Sequence, residues 1–309
     1  MRFVLGFDGG GTKTDCVLMD ESGSILARSR CGPSNPTRVG VDAAIAALIE
    51  AANKTLLASS QSASEVASIY GAVAGVEAAR AIPEFVRRLQ LKFPNAAVAI
   101  NTDLAVSLAA TGEKPSIVVL AGTGSAVFGT DALGNTARDG GLGPVLGDPG
   151  SAYDIGRKTL VMQSQRLLSG EVSSLRNEIL AAFKCNWADL QDQIRVNPDS
   201  VLPKIFPLVT RAANEGDESA RVLLQSAAQE LTEVVARVVD RLKLRKEEFF
   251  LAKTGGVFGR TPFFDDAFDK LVLEIAPGAN IGPLSVPVAE FCARAARDCL
   301  DSPGRRAES

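Results

Sequence analysis

The sequence predicts an α/β protein of two domains, each built on a mixed sheet with helices on its faces. Three observations predict it. An apolar strand, a tight turn carrying Gly and Thr, and a second strand occur twice, first over residues 3–15 and again over residues 118–128. Between these hairpins, strand-like runs alternate with amphipathic helical spacing, as in a sheet covered by helices. The chain has 309 residues, which is room for two domains of ordinary size.

The elements follow in order. Residues 3–7, 15–20 and 24–31 read as three consecutive strands, with Asp20-Glu21-Ser22-Gly23 as the turn between the second and third. Cys31 to Thr37 reads as a loop stiffened by Pro33 and Pro36. Val41, Ala44, Ile45, Leu48, Ile49 and Ala52 then recur at helical spacing. Residues 68–73 read as a buried strand, 78–92 as an amphipathic helix, 96–100 as a strand and 103–111 as an Ala-rich helix. The pattern restarts with strands at 116–121 and 124–129 and a hairpin tip at Asp131-Ala132-Leu133-Gly134. A second glycine-rich stretch runs from Asp139 to Ser151, and residues 152–245 are mostly helical. The clearest helix there opens at Asp217, a good N-cap, and carries Ala220, Leu223, Leu224, Ala227, Leu231, Val234, Val235 and Val238 on one face. A strand at 249–252, a helix at 264–275 and a last helix near 287–300 complete the order.

Composition narrows the chemistry. A net charge of −3 with no Lys/Arg cluster in the body of the chain argues against a nucleic-acid partner. No run of about 18 uncharged apolar residues suggests a membrane span. The N-terminal apolar run is broken by Asp8 and feeds into a glycine turn, which is unlike a signal peptide. Histidine is absent, which removes Ser-His-Asp triads and His-ligated zinc and leaves Asp, Glu, Lys, Tyr or Cys as a general base. The five scattered cysteines form no C-x-x-C pair and read as reduced thiols of a cytoplasmic protein. Cys292 and Cys299, seven residues apart on one helix, suggest packing rather than a metal site. Neither the G-x-x-x-x-G-K-[ST] phosphate loop nor a G-x-G-x-x-G dinucleotide turn is present.

Four segments carry the chemistry that remains. In Asp8-Gly9-Gly10-Gly11-Thr12-Lys13-Thr14, glycines allow backbone N–H groups to approach an anion, and Thr12 adds a hydroxyl donor. Three consecutive glycines exceed what an ordinary hairpin needs. Gly122-Thr123-Gly124-Ser125 repeats the device, and the pair suggests a duplicated core that grips one polyphosphate from both sides. Thr254-Gly255-Gly256-Val257 places a glycine pair after a buried strand, where the bland alternative is a strand-to-helix turn. Ile100-Asn101-Thr102-Asp103 places an aspartate at a strand end and a helix start, where its bland role is an N-cap.

Together these segments resemble the BadF/BadG/BcrA/BcrD ATPase family, which includes N-acetylglucosamine kinases, within the acetate kinase/sugar kinase/Hsp70/actin superfamily. The resemblance covers nearly the whole chain. It implies two RNase H-like, actin-like ATPase domains with mixed sheets flanking a nucleotide cleft. The first domain would be 1–112, joined by a helix over 285–301. The second would be 113–284 with a helical insertion, and 302–309 would form a flexible tail. It also implies an ATP-dependent kinase that phosphorylates a hydroxyl of an amino sugar, in the cytoplasm, as a homodimer. ATP would be held by Gly10, Gly11, Thr12, Lys13, Gly122, Thr123, Gly124, Gly255, Gly256 and Val257, with Lys13 either on phosphate or directed to solvent. Asp8 would hold hydrated Mg²⁺, and Asp103 would be the catalytic base. Asn35, Asp103, Gly124, Gly141, Leu142, Gly143, Asp148 and Ala152 would meet the sugar, Asp148 having an N-cap of the following helix as its bland role. The pattern departs at two positions. Animal N-acetylglucosamine kinases carry Asn where this chain has Ala126 and Glu where it has Pro149. That leaves glucosamine, N-acetylmuramic acid or another sugar open as the acceptor. Two other functions stay open: an ATPase that activates a partner enzyme, and a non-catalytic nucleotide or sugar sensor. Kinases of the related ROK family usually carry a zinc motif with His, which this chain cannot supply.

Overall fold

The computed structural model describes residues 2–300; the tail expected over 302–309 lies outside them. The chain divides into two compact units. Unit 1 takes the residues up to Gly112 and those from Leu284 onward, and unit 2 runs from Glu113 to Pro283.

Unit 1 opens with β1 (Phe3–Gly9), β2 (Thr14–Asp20) and β3 (Ile25–Cys31), followed by α1 (Pro36–Val39) and α2 (Val41–Ala58). Then come β4 (Val66–Val73), α3 (Ile82–Lys92), β5 (Ala97–Asn101) and α4 (Asp103–Ala109). Unit 2 holds β6 (Ser116–Ala121), β7 (Ser125–Thr130), β8 (Thr136–Gly140), α5 (Ala152–Leu168) and α6 (Ser174–Phe183). It continues with α7 (Trp187–Val196), α8 (Pro198–Val201), α9 (Phe206–Glu215) and α10 (Glu218–Arg241). It ends with β9 (Phe249–Thr254), α11 (Pro262–Ile275) and β10 (Ala279–Pro283), and α12 (Val288–Asp298) returns to unit 1.

The two sheets have one topology. Their orders are β3-β2-β1-β4-β5 and β10-β9-β6-β7-β8. In each, the first three strands form an antiparallel meander and the last two add in parallel beside the first. This is the RNase H-like arrangement of actin-like ATPases, present twice. Each glycine turn therefore sits at the same place in its unit, the tip of the first hairpin.

The sheet of unit 1 is covered on both faces. Leu5, Phe7 and Ile69 pack with Ile45, Leu48, Phe85 and Leu89 of α2 and α3. Val4, Val17 and Met19, pointing the other way, pack with Ala289, Ala293 and Ala296 of α12. Gly6 lets that helix sit close, since a Cβ there would run into the Ala289 carbonyl and the Ala293 nitrogen. The core of unit 2 joins Ile117, Val119 and Val127 to Leu231, Val234, Val235 and Val238 of α10 and to Phe264 and Phe268 of α11. Asp217 caps α10 through the Ala220 N–H at 3.0 Å.

Several expectations need correction. The helix expected over 78–92 starts at Ile82 because Pro83 belongs in a first turn; residues before it form turns, with Arg80 left-handed at φ 51°. The loop after Cys31 contains the short helix α1, started by Asn35 and Pro36. Two edge strands went unassigned. β8 is polar and mostly unburied, and β10 is short and ends in Gly282 and Pro283, which suits only an edge. Cys299 does not share the packing of Cys292. It lies exposed at the C-terminal cap of α12, while Cys292 is buried.

Candidate active site

In unit 1 the parallel ladder lines up the ends of β1, β4 and β5, Asp8 facing Ala72 and Ala72 facing Asn101. Asp8 thus lies at one strand end and Asp103 just beyond another. Burial pushes the Asp8 carboxyl up to about 6; Lys13 pulls it down, and the negative charge of Asp103 adds to the upward push. Asp103 is not the N-cap of α4. Thr102 takes that role, accepting from the Ala105 N–H at 3.2 Å, and Asp103 stands in the first turn with its own Oδ1 on the Leu104 N–H at 3.0 Å. A half-buried carboxylate with a second one in electrostatic reach suits Mg²⁺, a hard ion that keeps several waters and phosphate oxygens. Among the described residues no cluster of three or more acidic or Cys side chains forms a closed metal cage.

The first glycine turn closes through Gly10 N–H on the Lys13 carbonyl at 2.9 Å. Segment 32–38 is stitched to it. Ser34 N–H donates to the Gly10 carbonyl at 3.0 Å, and buried Thr14 donates its hydroxyl to Ser34 Oγ at 2.8 Å and to the Gly32 carbonyl at 2.7 Å. Asn35 caps α1, its Oδ1 accepting from the Thr37 N–H at 3.0 Å and the Thr37 hydroxyl at 2.7 Å. Its amide also rests on Gly75, whose φ of 74° and missing side chain leave room for it. Lys13 donates to Asp15 at 2.6 Å, and Arg30 grips the same carboxylate at 2.5 Å. Burial opposes ionisation of Asp15, but the hydrogen bonds from Arg30 and Lys13 hold it below the usual carboxylate range. Gly11 carries the stem of Arg38: a Cβ there would lie 3.2 Å from both Cδ and Nε of that arginine.

In unit 2 the second glycine turn is the hub. Ala152 N–H donates to the Gly122 carbonyl at 2.8 Å, Gly141 N–H to the Ser125 carbonyl at 2.9 Å, and Ser125 Oγ to the Pro149 carbonyl at 2.7 Å. Asp148 is buried, with φ 59°, and its Oδ2 would lie 2.6 Å from a Cβ at Gly124. It is not the N-cap of α5. Ser151 is, accepting from the Asp154 N–H at 3.1 Å. Val257 N–H donates to the Ala121 carbonyl at 2.9 Å, and Gly255, left-handed at φ 102°, packs on Ala121, which brings the 254–257 turn beside Gly122. Gly256 faces open space. Thus Gly122, Thr123, Gly124, Gly141, Asp148, Ala152, Gly255, Gly256 and Val257 are neighbours. Leu142 is mostly exposed and Gly143 half-buried, both in a loop that closes on itself through Gly147 N–H on the Gly143 carbonyl at 2.9 Å. Ala126 fills its place: a Cβ on Gly141 would come within 3.1 Å of its methyl.

Sequence reasoning missed the Thr14–Ser34 pair and Arg38. The signal was the Asn35-Pro36 helix start, which sets the next turn of chain against the glycine loop.

The family model for the BadF/BadG/BcrA/BcrD ATPase family matches residues 5–281. An N-acetyl-D-glucosamine kinase of Dictyostelium discoideum is 30% identical over 91% of this chain and 93% of its own length. An N-acetylmuramic acid/N-acetylglucosamine kinase of Clostridium acetobutylicum is 30% identical over 88% of this chain and 90% of its own. The crystal structure of a Chromobacterium violaceum protein, provisionally assigned as an N-acetylglucosamine kinase, superposes with a TM-score of 0.76 at 22% identity, covering 95% of this chain and 98% of that one. With both glycine turns at matching sheet positions and the match running through both units, the chain belongs to the BadF/BadG/BcrA/BcrD ATPase family.

Proposed function

We propose that this protein is an ATP-dependent carbohydrate kinase that phosphorylates a hydroxyl of an amino sugar, such as N-acetylglucosamine or glucosamine. The observation that carries this is the near full-length, 30% identity to two kinases whose names share N-acetylglucosamine. The placement of the two aspartates in unit 1 supports it.

Asp103 accepts the proton of the attacking hydroxyl. The hydroxyl oxygen bonds to the γ-phosphorus as the bond from phosphorus to the β–γ bridging oxygen breaks, and ADP leaves. Such transfer depends mostly on positioning and charge neutralisation. Backbone N–H groups of Gly10–Thr12 in unit 1 and Gly122–Gly124 in unit 2 bind phosphate oxygens, and Gly255, Gly256 and Val257 bind the adenosine. Asp8 would hold Mg²⁺, which would supply charge neutralisation at the phosphates. Asn35 of unit 1, and Asp148 of unit 2 with Gly141, Leu142, Gly143 and Ala152 near it, orient the sugar hydroxyls. The five free thiols agree with a reducing compartment, which we take to be the cytoplasm. Among the described residues no helix is long and apolar enough to cross a membrane.

The test is coupled ADP release with Mg²⁺-ATP over a panel of N-acetylglucosamine, glucosamine, N-acetylmuramic acid, N-acetylmannosamine and glucose, with Asp103→Asn as control. Sugar-dependent turnover that the variant lacks is the expected result. Turnover indifferent to every sugar would replace the kinase by a partner-directed ATPase or a sensor.

A further inference from the structure

Three cations stand near the first glycine turn, and they are not equivalent. Lys13, inside the loop, is paired with Asp15 at 2.6 Å. Arg30 is bound by the same carboxylate, through Nε at 2.5 Å and through its terminal nitrogen at 3.1 Å. Arg38 lies flat on Gly11, Cδ and Nε each 3.2 Å from where a Cβ would stand and Cζ 3.5 Å, and among the described residues it makes no ion pair and no side-chain hydrogen bond. It is half-buried.

Its backbone is fixed. Arg38 N–H donates to the Asn35 carbonyl at 3.0 Å, Asn35 caps the turn, and Ser34 ties the segment to Gly10. The loop assigned to phosphate and the residue assigned to the sugar are therefore one stitched piece, and Arg38 is the cation mounted on it. A glycine at 11 is what allows the guanidinium to reach this far. Any side chain there would displace it, so the bare Gly11 serves Arg38 as well as the anion.

We propose that Arg38, rather than Lys13, is the phosphoryl-binding cation of the first glycine turn, its guanidinium taking the oxygens of the γ-phosphoryl group as it moves to the acceptor. This rests on the kinase reading above. A planar fork matches phosphoryl oxygens two at a time, which a lysine ammonium does not.

The experiment compares Arg38→Ala and Arg38→Lys with the native chain by steady-state kinetics over the sugar panel, thermal melting, and calorimetric titration with ATP and ADP. The expected result for Arg38→Ala is a fall in kcat of about 10²–10³-fold with every accepted sugar, as for loss of one charge-stabilising donor. Melting stays unchanged, added guanidinium restores part of the rate, and Arg38→Lys retains more rate than Arg38→Ala. A kcat within about threefold of native overturns the assignment, since a donor to the reacting group contributes far more than that. A loss confined to the KM of a sugar bearing a carboxylate, N-acetylmuramic acid among the panel, overturns it by placing the anion on the acceptor. A lowered melting temperature without guanidinium rescue overturns it by showing a structural role. If the native chain turns over no sugar, the kinase reading fails but the titrations still decide. Arg38→Ala weakening ATP about tenfold while leaving ADP unchanged keeps the arginine on the γ-phosphoryl group; equal effects on both nucleotides remove it.

Discussion

At the scale of single residues the candidate carboxylates are held in unlike surroundings. Asp103 is released from capping by Thr102, so Asp103→Asn leaves α4 its cap and removes the carboxylate proposed as the base. A drop in kcat of roughly 10²–10⁴ with nucleotide binding retained is expected, and calorimetry beside the coupled assay separates the two. Asp8 behaves differently because the fold disfavours its charge. Its value in the fold, about 6, lies above the ordinary 3.8. The protonated acid is the favoured form, so its stabilisation is complete below 3.8 and is lost as pH rises through about 6. At pH 7.5 without nucleotide the native chain therefore carries a penalty of about 1–3 kcal/mol, and Asp8→Asn removes it. The variant should melt a few degrees higher at pH 7.5, with the gain shrinking as pH falls from about 6 toward 3.8. A lower melting point at pH 7.5 would overturn this account of Asp8. Since a hard cation needs the ionised form, Mg²⁺ should bind more weakly as pH falls and Asp8 takes up its proton. Asp148 sits in the left-handed region at φ 59°, buried with its carboxylate against Gly124. Asp148→Ala should raise the sugar KM by at least about tenfold and leave ATP affinity alone, in line with loss of a buried polar contact to a substrate hydroxyl.

At the scale of elements, close approach matters more than propensity. The helix α12 reaches the sheet because Gly6 has no side chain. Gly6→Ala forces a methyl into the Ala289 carbonyl, and backbone on both sides cannot yield. A loss of about 1–3 kcal/mol or more follows, visible as a lower melting temperature and a lower denaturant midpoint. An unchanged midpoint would show that α12 is seated elsewhere. Elements of this kind also set how much was legible in the sequence. Strands buried on both faces, such as Phe3–Phe7 and Ile117–Leu120, announced themselves by unbroken apolar runs. The edge strands β8 and β10 did not, because one ladder partner and a half-wet face leave Thr136-Ala137-Arg138 and Ala279-Asn280-Ile281 no pattern to keep. The glycine turns were readable because the run Gly9-Gly10-Gly11 is unusual and Gly122-Thr123-Gly124 repeats its setting between two strands. Arg38 was not, because its role depends on what Gly11 lacks, a contact 27 residues back along the chain.

At the scale of the whole molecule, one sheet topology is used twice but closed in two ways. Unit 2 is continuous from Glu113 to Pro283 and holds its own core. Expressed alone, that segment should give a cooperative melt and dispersed amide resonances, while residues 1–112 alone should aggregate, with Val4, Val17 and Met19 bare. A soluble, cooperatively melting 1–112 would show that α12 is dispensable. The need for α12 bears on how the protein is made. At about 5–20 residues per second, the ribosome takes roughly 10–40 s to travel from the end of α4 to the end of α12. Throughout that interval half of the first sheet is finished but uncovered, and the later unit completes itself before the earlier one can. Synthesis order and folding order are thus reversed in this chain. A nonsense mutation between the end of α4 and Val288 would leave the chain with that apolar face, Val4, Val17 and Met19, permanently uncovered.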